Sequence, residues 1–229
     1  DLHSFPTRRS SDLHIAAAEL ANELTARAER AGAVNTLTIR AGNDMLGDNT
    51  DGAGLVRDLR DNLGMTIADR RVLIIGAGGA ARGVLAPLLE LEPAEIVIGN
   101  RTPERARQLA ADFEDMGRVS GRSFVDVSAE AFDLVINATS ASLSGEVPRI
   151  DPSVIASETI CYDMAYGRGE TAFVRWALER GCARAVQGWG MLVEQAAESF
   201  ELWRGVRPET KSVLQALATG KASGTITAR

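Results

Sequence analysis

Short apolar runs alternate along this chain with longer segments in which apolar residues recur every three or four positions. The run at residues 72–75, Val-Leu-Ile-Ile, has no polar interruption, as expected of a strand buried on both faces of a parallel sheet. Similar runs predict strands at 95–99, 123–127, 134–138, 159–164 and 183–186, with helices between them at 80–91, 103–113 and 171–180. This alternation indicates an α/β fold with a doubly wound parallel sheet.

The segments on either side of this alternation are organised differently. Residues 15–31 show helical spacing that ends at Gly32, residues 34–40 alternate as a strand, and residues 45–47 return as its hairpin partner after a turn at 41–44. A helix follows at 53–63, and two amphipathic helices at 190–203 and 209–217 are expected to pack away from the sheet. Residues 1–13 show neither period, so we expect them to be disordered or not native to the protein.

Glycines follow the strand at 72–75 in the G-x-G-x-x-G/A pattern of dinucleotide-binding proteins. Gly76 allows the tight turn, Gly78 lets the backbone approach a pyrophosphate, and Ala81 lets the next helix pack close to its strand. The free N–H groups of the helix start, around Gly79 and Ala80, then face the phosphates. Because a strand precedes the glycines and a helix follows, we predict a dinucleotide site, with a structural glycine-rich turn as the alternative.

The residues after the second strand indicate which dinucleotide binds. An NAD site places a carboxylate there for the ribose 2′-OH, whereas this chain has Asn100, Arg101 and Thr102, with Arg105 one helical turn further on. Arginine suits a phosphate because its planar guanidinium is always charged and donates in pairs. Cations at the start of a helix are unfavourable unless an anion compensates them. The sequence therefore predicts NADP, with solvated arginines as the alternative.

Composition excludes several other classes of protein. The net charge of −6 argues against a nucleic-acid partner, and the lack of a run of about 18 apolar residues argues against a membrane-spanning segment. Two cysteines, Cys161 and Cys182, are too few for a disulfide framework or a metal cluster, so no metal site is predicted. We expect both thiols to be buried in a reducing compartment, with the cytoplasm as the default location.

Several motifs, taken together and in order, resemble the shikimate dehydrogenase family. They are Ala31-Gly-Ala-Val-Asn35-Thr36, Asn49-Thr-Asp51-Gly52, Gly76-Ala-Gly-Gly-Ala-Ala-Arg82, Asn100-Arg101-Thr102, Asn137-Ala-Thr139-Ser140, Tyr162-Asp-Met-Ala-Tyr166 and Gly188-Trp-Gly190-Met-Leu-Val-Glu-Gln195. The resemblance implies NADPH-dependent reduction of 3-dehydroshikimate to shikimate in aromatic amino-acid biosynthesis. It also implies a small-molecule substrate, no nucleic-acid or membrane partner, and leaves a homodimer open.

The resemblance also implies roles for individual residues. Asp51 looks like the catalytic aspartate that partners a lysine at the reacting carbonyl and also binds substrate. Further substrate contacts are implied for Asn35, Tyr166 and Gln195. On the cofactor side, two motifs are implied together with residues further along the chain. The glycine motif is Gly76, Gly78, Gly79, Ala80 and Ala81, and the arginine motif is Asn100, Arg101, Thr102 and Arg105. The further residues are Asn137, Thr139, Ser140, Gly188 and Met191.

One functional group of the family is missing from the matching position. The family's lysine precedes the Ala-Val-Asn-Thr block, and the same spacing back from Asn35 reaches His14, while the only lysines are Lys211 and Lys221. The family's first strands and its serine motif for the substrate carboxylate also have no counterpart. We therefore expect an N-terminally truncated copy that is inactive as written. A non-catalytic NADP-binding module and a quinate/shikimate dehydrogenase using NAD are the alternatives.

The predicted domain organisation follows from these assignments. Residues 14–50 are interpreted as the remnant of an α/β substrate-binding catalytic domain and residues 51–187 as a Rossmann-type NADP-binding domain. Residues 188–229 are interpreted as C-terminal helices that return to the substrate domain, and residues 1–13 are excluded from both.

Overall fold

The computed structural model describes residues 10–127, 131–167 and 169–218. The N-terminal part contains helix α1 (Ser10–Leu20), strand β1 (Glu23–Leu24), helix α2 (Ala26–Ala31), and strands β2 (Thr36–Ile39) and β3 (Met45–Asp48). The strands form a small sheet in the order β1-β3-β2, in which β2 and β3 are antiparallel and β1 joins β3 in parallel. Helix α3 (Asp51–Arg57) follows and continues as a π-helical turn, Asp58–Asn62.

The helix predicted at 15–31 is wrong as a single element, because it is interrupted by β1. The backbone N–H of Thr25 donates to Gly47 in β3, and the Thr25 hydroxyl accepts from the N–H of Ala28 and so caps α2. This tertiary pairing outweighs a continuous helical spacing. Gly32 ends α2 with a φ of 61°, as predicted, and residues 10–13, expected to be disordered or foreign, lie in α1. The rest of that segment falls outside the described residues.

The main sheet has six parallel strands in the order β6-β5-β4-β7-β8-β9, which is the doubly wound topology predicted. The strands are β4 (Arg71–Ile75), β5 (Glu95–Asn100), β6 (Val119–Ser123), β7 (Leu134–Asn137), β8 (Ile160–Asp163) and β9 (Arg184–Gln187). The connecting helices are α4 (Gly79–Leu89), α5 (Pro103–Ala111) and α6 (Ala172–Glu179). Val72 and Ile74 face one apolar layer while Leu73 and Ile75 face the other, which explains the uninterrupted apolar run.

The strand predicted at 123–127 is also wrong, since the sheet uses the less apolar segment Val119–Ser123 instead. Gly121 lies against the backbone of α5, where a Cβ atom would come within 2.2 Å of the carbonyl carbon of Ala106. Glycine is therefore required by close packing, a property that hydrophobic periodicity does not report. A turn begins at Ser123, whose hydroxyl accepts a hydrogen bond from the N–H of Asp126. Val127, which follows this turn, is buried in the core.

The C-terminal helices α7 (Trp189–Arg204) and α8 (Lys211–Ala218) pack away from the sheet along most of their length, as predicted. Helix α7 crosses α3 so closely that a Cβ atom on Gly54 would lie 2.7 Å from the backbone nitrogen of Gln195. Its last turn reaches the small sheet, where the Trp203 indole donates to the carbonyl of Leu37. Among the described residues, no helix is long and apolar enough to span a membrane.

Candidate active site

A cavity of about 790 Å³ opens between the N-terminal part of the chain, from α1 to the start of α3, and the carboxyl ends of the main strands. This is where ligands bind in open α/β sheets, because the strand order reverses there. Its walls include predicted residues from both halves of the chain and from α7, namely Asp51, Gly78, Gly79, Ala80, Arg105, Tyr166 and Met191. The fold therefore brings the predicted substrate residue Asp51 and the glycine motif to one cavity.

The glycine motif forms an open cradle at the start of α4. Gly76 has a φ of 110° and donates its N–H to the carbonyl of Gly99, so it makes the predicted tight turn. A Cβ atom on Gly78 or Gly79 would have no heavy atom within 4 Å, which leaves room for a ligand beside the helix N-terminus. Ala81, with no exposed surface, packs in the core beneath.

The arginine motif lies at the end of β5 and the start of α5. The Asn100 side chain donates to the carbonyl of Thr102 over 2.8 Å and shapes the turn. The side chains of Arg101 and Arg105 are exposed, and neither forms a hydrogen bond or ion pair with the part of the chain that the structure describes. Two unpaired cations at a helix N-terminus suit an anionic group of a ligand.

The substrate residues predicted from separate segments meet at one point. The Asn35 side-chain amide donates to a carboxylate oxygen of Asp51 over 2.8 Å and to the side-chain oxygen of Gln195 over 3.4 Å. The Asn35 oxygen accepts from the backbone N–H of Thr50 and from the hydroxyls of Thr36 and Thr50. These donors fix the amide so that its NH₂ group faces Asp51.

The charge state of Asp51 is set by opposing effects. Burial raises the pKa of Asp51 above its ordinary value, while the hydrogen bond from Asn35 and the nearby charge of His14 lower it. His14 lines the same cavity as Asp51. An ionisable imidazole therefore lies on the wall of the cavity that Asp51 also lines.

The remaining predicted residues differ in how directly they face the cavity. Tyr166 is 42% exposed, lines the cavity and packs on Trp189 with ring centroids 4.7 Å apart. Asn137 has no exposed surface. Its side-chain NH₂ group donates to the carboxylate of Asp163, and its side-chain oxygen accepts from the hydroxyl of Thr139. Gly188 is buried where a Cβ atom would lie 2.5 Å from the Met164 carbonyl, and Ser140 is exposed. Asn137 and Gly188 therefore shape the backbone around the cavity.

Sequence reasoning missed Ser199, whose hydroxyl lies 2.7 Å from that of Thr36 and 3.2 Å from that of Thr50. Its signal is positional: Met191, Gln195 and Ser199 are spaced by four residues and lie on one face of α7. Among the described residues no cluster of three His, Cys, Asp or Glu side chains is arranged to hold a metal ion.

Comparison with known proteins agrees with this geometry. Residues 58–148 match the Shikimate / quinate 5-dehydrogenase family, and residues 188–218 match the Shikimate 5'-dehydrogenase C-terminal domain. A shikimate dehydrogenase (NADP(+)) of Nitrosospira multiformis is 55% identical over 204 residues, which cover 89% of this chain and 74% of that protein. The chain belongs to the shikimate dehydrogenase family.

Solved structures of similar proteins extend the comparison to the fold. A crystal structure of an Ael1 enzyme from Pseudomonas putida is 44% identical with a TM-score of 0.84, over 90% of this chain and 75% of that one. Shikimate 5-dehydrogenase from Thermus thermophilus, in complex with NADP(H) and shikimate, is 30% identical with a TM-score of 0.78, over 90% and 76% of the two chains. The family resemblance of the motifs is thus confirmed along most of this chain.

Proposed function

We propose that this chain binds NADP(H) and takes part in the interconversion of 3-dehydroshikimate and shikimate in aromatic amino-acid biosynthesis. The observation that carries the proposal is the position of Asp51, which bonds Asn35 just before β2 and lines the same cavity as Gly78 at the start of α4. A carboxylate with a polar neighbour therefore lies beside a cradle suited to a pyrophosphate.

The residues present fit the cofactor. The open N-terminus of α4 around Gly78 and Gly79 would hold the pyrophosphate, and the unpaired Arg101 and Arg105 would hold the 2′-phosphate. Met191 lines the cavity with Asp51, and the Thr139 side chain lies beside the Gly76 turn, so both would contact the nicotinamide side. When bound, NADPH supplies the hydride for the carbonyl carbon of the substrate.

The chain's own contribution is to bind the substrate and manage its proton. Asn35 and Gln195 would hold the substrate's hydroxyls, since both amides lie beside Asp51. The oxygen of the reduced carbonyl gains charge and needs a proton donor in place. Asp51 would orient that donor and take up or return the proton, and its raised pKa is consistent with such a role.

The test combines cofactor titration with a reaction assay. We expect NADPH to bind more tightly than NADH. Once a relative's N-terminal segment is fused to the chain, absorbance should report NADP⁺ reduction that depends on shikimate and is lost in Asp51→Asn. NADPH binding with no shikimate-dependent reduction, even after a relative's N-terminal segment is fused to the chain, would favour the non-catalytic module. Faster reduction of NAD⁺ with quinate than of NADP⁺ with shikimate would favour a quinate/shikimate dehydrogenase that uses NAD.

We also propose a cytoplasmic location, supported by the buried free thiols of Cys161 and Cys182. Sedimentation equilibrium decides between a monomer and the homodimer that the sequence leaves open.

A further inference from the structure

Helix α7 presents two adjacent stripes of residues, and only one of them faces the active site. Met191, Gln195 and Ser199 form the stripe that faces the cavity and Asn35. Gly190 and Glu194, each one position earlier, form a second stripe that is buried against the π-helical turn after α3. Because side chains at i and i+4 lie on one face of a helix, the contacts of the second stripe set the position of the first.

The first residue of the buried stripe, Gly190, lies against Asp58. This carboxylate lies so close to the helix that a Cβ atom on Gly190 would fall 1.9 Å from its Oδ1 atom. Asp58 is 4% exposed and accepts from the Asn62 amide over 2.9 Å, and the same amide reaches Glu194 over 3.3 Å. A buried carboxylate facing a helix N-terminus is favourably placed relative to the helix dipole.

Tyr162 connects this carboxylate to the functional stripe. Its hydroxyl donates its single proton to Asp58 Oδ2 over 2.7 Å and accepts the backbone N–H of Met191 over 3.2 Å. Burial and the charge of Asp58 hold the pKa of Tyr162 well above its ordinary value, so the proton stays available for this bond. One hydroxyl thus satisfies both a buried charge and the N–H of a residue that lines the cavity.

We propose that Asp58 and Tyr162 are positioning residues for substrate binding, which hold the first turn of α7 so that Met191 and Gln195 face the active site. Neither residue lines the cavity, and neither belongs to the predicted site. The proposal rests on the proposed function, since it deepens the account of how the same site recognises its substrate.

The decisive variant is Tyr162→Phe, which removes one oxygen and keeps the ring. Its matched control is Thr159→Val, immediately before the start of the same strand, β8. The buried Thr159 hydroxyl also donates once, to the Phe132 carbonyl, and accepts once, from the Ala156 N–H. Both variants lose the same number of hydrogen bonds inside the protein, but only one of them loses the contact with α7.

Shikimate affinity in the presence of NADP⁺ should fall about tenfold in Tyr162→Phe, the scale expected for one bond to a charged group. NADPH affinity should fall less than shikimate affinity, since the NADPH phosphates would be held at α4 and α5 and only its nicotinamide would contact Met191. Thr159→Val should change neither affinity, although urea unfolding shows both variants to be less stable. An equal change in shikimate affinity in the two variants would overturn the proposal.

A second readout separates this proposal from the proposed function. The chain has five methionines, so the Met191 methyl group can be followed by NMR in the protein without ligand. Tyr162→Phe should shift the Met191 methyl resonance and leave that of Met116 unchanged, whereas Thr159→Val should shift neither. If the wild-type chain fails to bind shikimate, the proposed function fails, and an unshifted Met191 methyl would then independently refute the positioning role.

Discussion

The side-chain amide of Asn35 donates a hydrogen bond of 2.8 Å to the carboxylate of Asp51, whose pKa is raised by burial. The bond favours the ionised carboxylate and so opposes the effect of burial. A raised pKa in the folded state means that the folded chain holds its proton more tightly than the unfolded chain. The contribution of Asp51 to stability is therefore fully present below the unfolded pKa of about 3.9, and is lost as pH rises through the folded pKa.

The substitution Asn35→Ala should raise the pKa of Asp51 further, because it removes a hydrogen bond that lowers this pKa. It should also destabilise the protein at neutral pH. We expect a loss of about 1–3 kcal/mol, the cost of leaving a buried group without its partner. The part of this loss that depends on Asp51 should disappear below about pH 4, where the carboxylate is protonated in both states. Urea unfolding at several pH values measures it. In an Asp51→Asn background the loss should be smaller and independent of pH, and the same pH dependence there would contradict the assignment.

The arginines after β5 should discriminate between the two nicotinamide cofactors. Arg101→Ala is expected to weaken NADPH binding by roughly 1.5–3 kcal/mol, the range for hydrogen bonds to charged groups, with little effect on NADH. Arg107→Ala is the matched control, because Arg107 lies on α5, the helix that follows Arg101, and is exposed but pairs with Glu104. A fluorescence titration in which Arg101→Ala weakens both cofactors equally would argue against a 2′-phosphate site.

Substitution by alanine should affect cofactor binding at one glycine of the motif and stability at another. Gly78 has a φ of −101° and open space around it, so Gly78→Ala should leave stability within about 0.5 kcal/mol but weaken NADPH. Gly76 has a φ of 110°, and a Cβ atom there would lie 3.0 Å from the Thr139 methyl carbon, so Gly76→Ala should cost about 1–3 kcal/mol of stability. Unfolding and NADPH titration of both variants check this. A stable Gly76→Ala protein would contradict the turn geometry.

The residue at position 14 should decide how fast a polypeptide of these 229 residues turns over shikimate. His14 lines the cavity with Asp51. The family resemblance of the motifs implies a lysine at this position. His14→Lys should raise NADP⁺ reduction about 100-fold or more, because one placed donor is typically worth that factor, and should leave NADPH affinity unchanged.

The control for this prediction is Gln108→Lys, which adds the same charge elsewhere on the cavity wall. A similar gain from both substitutions would show that added positive charge, and not a donor beside Asp51, is responsible. No gain from either would show that a feature other than the donor at position 14 limits the reaction.

Local sequence determined the central strand, the glycine turn and the helix after it, because each depends on neighbouring residues. The unbroken run at Val72 predicts a strand covered on both faces, and Gly76 is needed for a positive φ in the turn. The family resemblance of the motifs implied that Asn35, Asp51 and Gln195 share one site, and in the structure Asn35 bonds both of the others. The roles of these residues stay predictions until the variants are measured.

Tertiary structure alone decided features that depend on partners far along the chain. Residues 15–31 have helical spacing, yet Glu23–Leu24 leaves the helix because β3 offers backbone partners. The sixth strand includes Gly121 because α5 packs against it, and no apolar period marks that contact. The first turn of α7 is held in position by Asp58 and Tyr162. These two residues are separated by 104 positions and share one hydrogen bond. A periodic pattern shows which residues share a face of an element, but only packing determines what that face meets.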